Sequence, residues 1–426
     1  MRPPASLSSL AAPNFRYFTA GQLVSLTGRW MLLTGQDWLV IQLGGHGVAL
    51  GVTTALQFAP ILALSLWAGV LADRLDKRRM LLVTQGCFAL VALALGLLTV
   101  SGSVTLPAVF ASALCFGIIN ALDSPVRQSF IVEMVGPDQV GNAVAVNSVV
   151  FNCARVLGPS VAGLLIAGVG TGEVFLLTAV SMAGVLSGLL RMRTAELHPS
   201  ARVPRAKGQL RAGFTYVRSR PDLSLVLGLV GVVSALGLNF PVTLALMARQ
   251  TFDGNAQLYG AFSSTLAVGN LLGAFGATRR TRPRQRTLIL SAGAFGLAEA
   301  VAGLMPSPVT FGAALVVAGV ALLTFTTTAL TTVQLGAGAQ VRGRVMAIYL
   351  LVFLGSAPVG APVIGAVCQG LGPRAGLLLG GGVSLLAAVV AGLLVLRAGR
   401  RRGVPVDLGA LTHLRGWSDP VGARAD

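Results

Sequence analysis

Short clusters of Gly, Pro and charge cut the chain into apolar stretches of about twenty residues, and that punctuation leaves few folds open. A helix needs roughly 20 apolar residues to cross a bilayer. Twelve such stretches can be drawn, at about 16–43, 48–71, 80–101, 106–126, 142–168, 173–191, 222–248, 256–277, 287–305, 308–335, 344–369 and 373–397. Charged residues are only 11% of the 426, against roughly 25% in soluble domains. Too little polar surface exists to wrap soluble cores of this size. The 54 glycines fit a membrane interior, where small residues let helices approach closely.

The formal net charge of +18 invites a nucleic-acid reading, but its distribution points elsewhere. Arg74-Lys77-Arg78-Arg79, Arg202-Arg205-Lys207-Arg211, Arg279-Arg280-Arg282-Arg284-Arg286 and Arg400-Arg401-Arg402 fall in alternate connections or at a terminus. Arg249 and Arg374 alone occupy the other connections, and Arg29 and Arg155 lie inside stretches. That leaves 28 of the 32 basic residues on one side, which the positive-inside rule makes cytoplasmic. The charge reports topology, and no nucleic-acid partner is expected. With an even number of spans, both termini are cytoplasmic and the protein is a multi-pass component of the cytoplasmic membrane.

Two halves emerge once the spans are drawn. The only large connection on the basic side, 192–221, has six spans before it and six after. Its second part, 209–221, sets Leu210, Phe214 and Val217 on one face, away from Arg211, Arg218 and Arg220, as an amphipathic helix on the inner leaflet does. Segment 140–163 resembles 342–365, with Gly158 and Gly163 recurring as Gly360 and Gly365. Parallel repeats around a midplane site are a secondary-transporter architecture. The expected fold is all-α integral membrane, with twelve transmembrane helices in two pseudo-symmetric six-helix bundles. Its parts are a cytoplasmic N-terminus (1–15), an N-terminal bundle (16–191), the linker (192–221), a C-terminal bundle (222–397) and a disordered cytoplasmic tail (398–426).

Chemistry is sparse. Neither of the two lysines, Lys77 and Lys207, follows a glycine, so there is no phosphate-cradling P-loop. No G-x-S-x-G or H-E-x-x-H pattern occurs. Four cysteines and three histidines are scattered without metal-ligand spacing. No enzymatic activity, metal or cofactor is expected, and transport would have to run on an ion gradient.

The connection after the second span reads Gly69-Val-Leu-Ala-Asp73-Arg74-Leu-Asp76-Lys77-Arg78-Arg79. It resembles the G-x-x-x-D-R-x-G-x-R-R signature of the major facilitator superfamily, with Asp76 in place of the usual glycine. The second-half counterpart, Gly273 to Arg280, keeps the glycine and the basic run but has Ala277 where the acid would sit. In that superfamily the acid locks the cytoplasmic gate against the start of the eleventh helix. The resemblance thus implies a gate made of Gly69, Asp73, Arg74, Arg78, Arg79, Asp123, Arg127, Arg342 and Arg344. In the fifth span, Ala154-Arg155-Val-Leu-Gly158-Pro159-Ser-Val-Ala162-Gly163 resembles the antiporter motif G-x-x-x-G-P-x-x-G-G, which marks exporters. Asp123-Ser-Pro125-Val-Arg127-Gln128, Asn147 to Arg155 and Arg342-Gly343-Arg344-Val345-Met346 look like the enterobactin-exporter and macrolide-efflux branch.

Ionisable groups at membrane depth cost about 2.5–3.5 kcal/mol on insertion scales, so each needs a reason. Gln22, Ser25, Arg29 and Gln36 form one stripe of the first helix with Asp37 at its edge. Arg29 and Asp37 are about 12 Å apart along the axis, too far for easy pairing. Ser148, Asn152 and Arg155 form a second stripe on the fifth helix. These residues, with Asn239 and Asn270 from the second half, are the expected substrate and ion cavity; a structural ion pair between helices is the competing reading of the charged ones. Glu299 lies in the ninth helix and is expected to be structural or to snorkel. Thr324, Thr328 and Thr331 share a face of the tenth helix, where bonding to their own helix explains them equally well. The function expected is gradient-driven export of a small amphipathic, siderophore-, macrolide- or drug-like molecule by alternating access. The coupling ion is a proton and the protein a monomer in the bilayer. An importer of the same fold and a non-transporting receptor or scaffold remain open.

Overall fold

The computed structural model describes residues 5–198, 209–278, 285–338 and 341–401. Among these residues all regular structure is helical. The first half holds α1 (Pro13–Gln42), α2 (Gly47–Arg74), α3 (Lys77–Val100), α4 (Leu106–Val135), α5 (Val140–Gly168) and α6 (Thr171–Leu190). A connecting helix, α7 (Gln209–Ser219), follows. The second half holds α8 (Pro221–Leu236), α9 (Phe240–Leu246), α10 (Ala256–Thr278), α11 (Gln285–Gly303), α12 (Pro308–Gly336), α13 (Arg342–Gly355), α14 (Ala357–Leu371) and α15 (Pro373–Arg401).

Ten helical stretches among the described residues are long and apolar enough to cross a bilayer. α1 and α11 fall short, α1 through its glutamines, Arg29 and Asp37, and α11 through Arg286 and Glu299, which lower the hydropathy of its 19 residues. Both still pack as members of the bundles: α1 on α5 and α6, α11 on α12 and α15. Helix ends carry local signals. Ser307 and Thr310 close a capping box on α12, and Gly44, Gly102, Gly136, Gly170 and Gly372 take positive φ in the turns.

Three spans differ from the sequence reading, the eleventh being interrupted at Ser356 into α13 and α14. The seventh is broken: α8 stops at Leu236, Gly237 and Leu238 are non-helical, and α9 restarts after Asn239 before a π-helical turn at Met247–Thr251. Asn239 makes the break, since its Nδ2 donates to the Ala235 carbonyl at 2.8 Å. The fourth runs on to Val135 with Pro125 inside it, because the N–H that proline lacks is a single ladder bond in a 30-residue helix. α7 forms where the amphipathic pattern lies, but it docks on α8 and α13. Its Val217 is buried, and the Tyr216 hydroxyl accepts from the Gly338 N–H at 3.4 Å.

α2 packs on α4, and α3 on α4 and α6; in the second half α10 packs on α12 and α8 on α15. The halves join chiefly through two helix pairs, α2 with α14 and α5 with α10. The 202-residue repeat explains the match. A Cβ on Gly158 would strike Trp30 of α1, and one on Gly360 would strike Ala235 of α8, so each packs its helix inside its own bundle. Gly163 faces Ala256 and Gly260 of α10, and Gly365 faces Gly47 of α2, so each packs across to the other bundle.

Candidate functional site

The joins between the bundles gather at one end. The α2–α3 turn with its basic residues defines the basic end, and α2 begins and α14 finishes at the far end. Gly47 and Gly51 of α2 lie against Gly365 and Ala361 of α14, and the Val48 N–H donates to Gln369 Oε1 at 3.3 Å. Across the other pair, Ser160 and Ser264 hydroxyls meet at 2.5 Å, and Ser264 also donates to the Val156 carbonyl at 2.9 Å. Asp37 joins this closure. Its Oδ2 accepts from the Tyr259 hydroxyl of α10 at 2.7 Å, and Trp38 stacks on the same ring at 6.4 Å. The other oxygen, Oδ1, is buried without a partner among the described residues.

Arg155 sits just on the basic side of the closure. Its guanidinium lies 5.9 Å from the Trp30 ring centroid. Asn270, with its amide set to donate to the Gly319 carbonyl at 3.0 Å, accepts from Arg155 Nη2 at 3.1 Å. Among the described residues Arg155 makes no ion pair. Toward the basic end the same face of α5 continues with half-buried Asn152 and exposed Ser148. Asn152 and Ser148 bond back to the Ser148 and Val144 carbonyls of their own helix. The result is a polar ladder on the seam between the bundles, topped by a cation that meets the Asn270 amide and the Trp30 indole.

The rest of the α1 stripe turns into the first bundle. Gln36 donates to Ser112 of α4 at 2.9 Å and accepts from Gln57 of α2 at 3.1 Å. Gln22 is buried. Arg29 pairs with Asp123 of α4 through Nη1 and Oδ2 at 3.2 Å, and its guanidinium lies 4.6 Å from the Phe88 ring centroid. Arg127 approaches the same Oδ2 at 3.6 Å. Thr84 and Gln85 of α3 donate to Asp123 Oδ1 at 2.9 and 2.7 Å. Asp123 therefore joins Arg29 and Arg127, which sequence reasoning had assigned to different places. Among the described residues Arg29 Nε and Nη2 and Arg127 Nη1 are buried without partners, and the described cluster sets two cations against one anion.

The basic loop is partly described. Gly69, Asp73 and Arg74 end α2, and their side chains lie outside the described residues, as does Ala277. Arg78 caps α6: its Nε donates to the Leu189 carbonyl at 2.7 Å and its Nη2 to that of Leu190 at 3.1 Å. Asp76 caps α3, accepting from the Arg79 N–H at 2.8 Å. Lys77 pairs with Glu133. Arg342 and Arg344 occupy the first turn of α13, exposed and half-buried respectively. In α12, Thr328 and Thr331 bond back to the Thr324 and Thr327 carbonyls. Pro159 and Gly158 press α5 against α10 and α1. Sequence reasoning missed Thr84, Gln85 and Gln57, whose polarity inside spans was the available signal. It also missed Tyr259, whose ring reads as apolar.

Two glycine-packed helical bundles, with ten stretches among the described residues long and apolar enough to span a bilayer and a cation on the seam, fit a membrane transporter of the major facilitator type. The chain belongs to the family described as "Transmembrane secretion effector", which it matches over residues 4–405. It is 25% identical over 262 residues to a staphyloferrin A transporter of Staphylococcus aureus, covering 60% of this chain and 65% of that one. It is 25% identical to the multidrug efflux pump Tap of Mycolicibacterium fortuitum, over 68% of this chain and 72% of the pump. It is 24% identical to the enterobactin exporter EntS of Escherichia coli O1:K1, over 69% and 70%. Among solved structures it resembles a bacterial homologue of the lysosomal transporter Spinster in an inward-facing, unoccupied conformation (TM-score 0.68, 16% identity, 91% and 96% covered). The nucleoside transporter NupG also matches (0.72, 13%, 90% and 99%).

Proposed function

We propose that the protein exports a small amphipathic molecule bearing anionic or hydrogen-bond-accepting groups, driven by a proton gradient and working by alternating access. The observation that carries this reading is Arg155: a guanidinium on the seam of the bundles, steadied by Asn270 and Trp30 and matched by no carboxylate among the described residues. A cation at membrane depth without a counter-ion is costly, and an anionic substrate group would neutralise it. The far-end closure, with a polar ladder leading from exposed Ser148 to Arg155, is the arrangement expected of an exporter that loads from a cytoplasmic basic end, and it supports this reading. The family description and the relatives named as a drug efflux pump and an enterobactin exporter support the same direction. Asp37 is the proposed coupling group, since neutralising it would change its bond to Tyr259 and with it the closure of the far end. Asp73, Arg342 and Arg344 are proposed to close the basic end in the opposite state.

The test is transport in proteoliposomes under an imposed pH gradient, comparing wild type with Asp37→Asn and Arg155→Ala. Gradient-driven accumulation lost in Asp37→Asn, and affinity for anionic substrates lost in Arg155→Ala, are the expected results. If collapsing the gradient changes nothing, the proton mechanism fails; if substrate moves only inward in cells, the protein is an importer. The proposed orientation is checked with single cysteines at Ser200 and Thr412, which should resist membrane-impermeant thiol reagents in intact cells.

A further inference from the structure

The second bundle buries a polar cluster that the site above does not use. Glu299 of α11 is 2% exposed, and its Oε2 has no hydrogen-bond partner among the described residues. Ser384 of α15 and Ser234 of α8, at 0% and 2% exposure, likewise bury hydroxyl oxygens without partners. Glycines bring these groups to the break in the seventh span. A Cβ on Gly380 would lie 2.9 Å from Glu299 Oε1 and 2.6 Å from the Leu236 carbonyl oxygen. A Cβ on Gly237 would lie 2.7 Å from Ser384 Oγ. Leu236 ends α8, so no helical N–H follows to satisfy its carbonyl, and Ser234 lies within the last turn before it.

We propose that Glu299, Ser234, Ser384 and the Leu236 carbonyl form a binding site for a monovalent cation, a proton or sodium, at the interruption of the seventh span. Hard cations take oxygen ligands, and unwound carbonyls beside a carboxyl are a known way of holding such ions in transporters. Charge selects the valence. One carboxylate with one monovalent cation is neutral, whereas a divalent ion would leave an uncompensated charge in an apolar interior. Among the described residues no other charged side chain pairs with the carboxyl. α12 and α9 contain none. Asp222, the only one on α8, pairs with Arg220 at the start of that helix. Arg286 is at the other end of α11; Arg374 bonds the Met305 carbonyl, and Arg397 lies more than three turns beyond Ser384. The site also has a route to the seam. α9, which restarts from the break, packs on α1, α2, α10 and α14, the helices of the far-end closure.

The inference does not rest on export, because binding is measured without transport. Purified full-length protein in nanodiscs is unfolded thermally in NaCl and in equal KCl. Separately, the carbonyl stretch of protonated carboxylic acids is followed by infrared spectroscopy across pH in an Asp37→Asn background. A sodium-specific rise in the unfolding midpoint, abolished in Glu299→Gln and reduced in Ser384→Ala, assigns sodium. A titrating carboxylic-acid band that disappears in Glu299→Gln and shifts its midpoint in Ser384→Ala, with no sodium effect, assigns a proton. If Glu299→Gln does not fold, Glu299→Asp and Ser384→Ala carry the same comparison. The proposal is overturned if wild type shows neither response, or if both responses persist undiminished in these variants.

Discussion

Asp123 and Glu299 are both carboxyls buried at membrane depth, one in each bundle, and their surroundings could hardly differ more. Asp123 accepts from Thr84 and Gln85 and faces Arg29 and Arg127. Among the described residues Glu299 has an oxygen with no partner and makes no ion pair. The scaffolds around them are alike: Gly158 and Gly360 seat a helix inside its bundle, and Gly163 and Gly365 seat it across the seam. A close helix contact tolerates almost nothing but glycine, so both copies keep it. A buried charge needs a whole set of partners from several helices, and only the first bundle has that set. The second copy of the basic-loop motif points the same way, with Ala277 in place of the acid.

The largest effect should come from Asp123. Replacing it with Ala strands two buried guanidiniums, and removing one partner of a buried pair typically costs about 3–5 kcal/mol. Thermal unfolding in detergent should show a lowered midpoint and a low folded yield for Asp123→Ala, with Glu299→Gln close to wild type. Equal losses in the two would break the contrast between the bundles.

Valine at the four repeated glycines comes next. Overpacking costs about 1–3 kcal/mol, but the form of the damage should differ by position. Gly158→Val and Gly360→Val should lower stability, since each presses on a helix of its own bundle. Gly163→Val and Gly365→Val should instead loosen the far end, read as faster labelling of a cysteine placed at Val48. Identical phenotypes at all four sites would mean that the repeat does not divide its two tasks in this way.

Tyr259→Phe is a smaller test of the same closure. It removes one hydrogen bond, worth about 1 kcal/mol, while keeping the ring that stacks on Trp38. That corresponds to a shift of about fivefold in the open population at the far end. Spin-label distances between α2 and α14 should lengthen in part of the population; an unchanged distribution would remove Asp37 from the closure.

The helical bundles and the recurrence of the glycines were legible because bilayer thickness and close helix contact act on short, local stretches of sequence; which neighbour each repeated glycine meets was not, since that depends on helices distant in the chain. The break in the seventh span was not, although Gly237, Asn239 and Pro241 are all visible, because apolar composition runs straight through it. The stripe on α1 was legible as a stripe, but its direction was not. Neighbouring positions on one helix meet different partners, so Arg29 turns to α4 while Asp37 reaches α10. The pairing of Arg29 with Asp123 spans 94 positions and two helices, and no spacing rule connects such residues. Tyr259 escaped because nothing in the sequence says that its hydroxyl ends against a carboxylate.

Arg78 gives the smallest expected effect and separates two explanations of the basic loop. As part of a gate, its loss would change the balance between open states. In the structure its guanidinium instead spans the last two carbonyls of α6, those of Leu189 and Leu190. A cation there satisfies acceptors that the helix leaves unpaired and meets the negative end of its dipole, an effect of about 0.3–1 kcal/mol at an accessible site. Arg78→Ala should therefore lower the unfolding midpoint slightly and leave the distribution of spin-label distances at both ends unchanged. Arg78→Lys should recover part of the loss, because an ammonium keeps the charge but cannot bridge both carbonyls with a planar fork. If Arg78→Ala leaves stability unchanged and moves the open-state populations, the cap is incidental and the residue belongs to the gate.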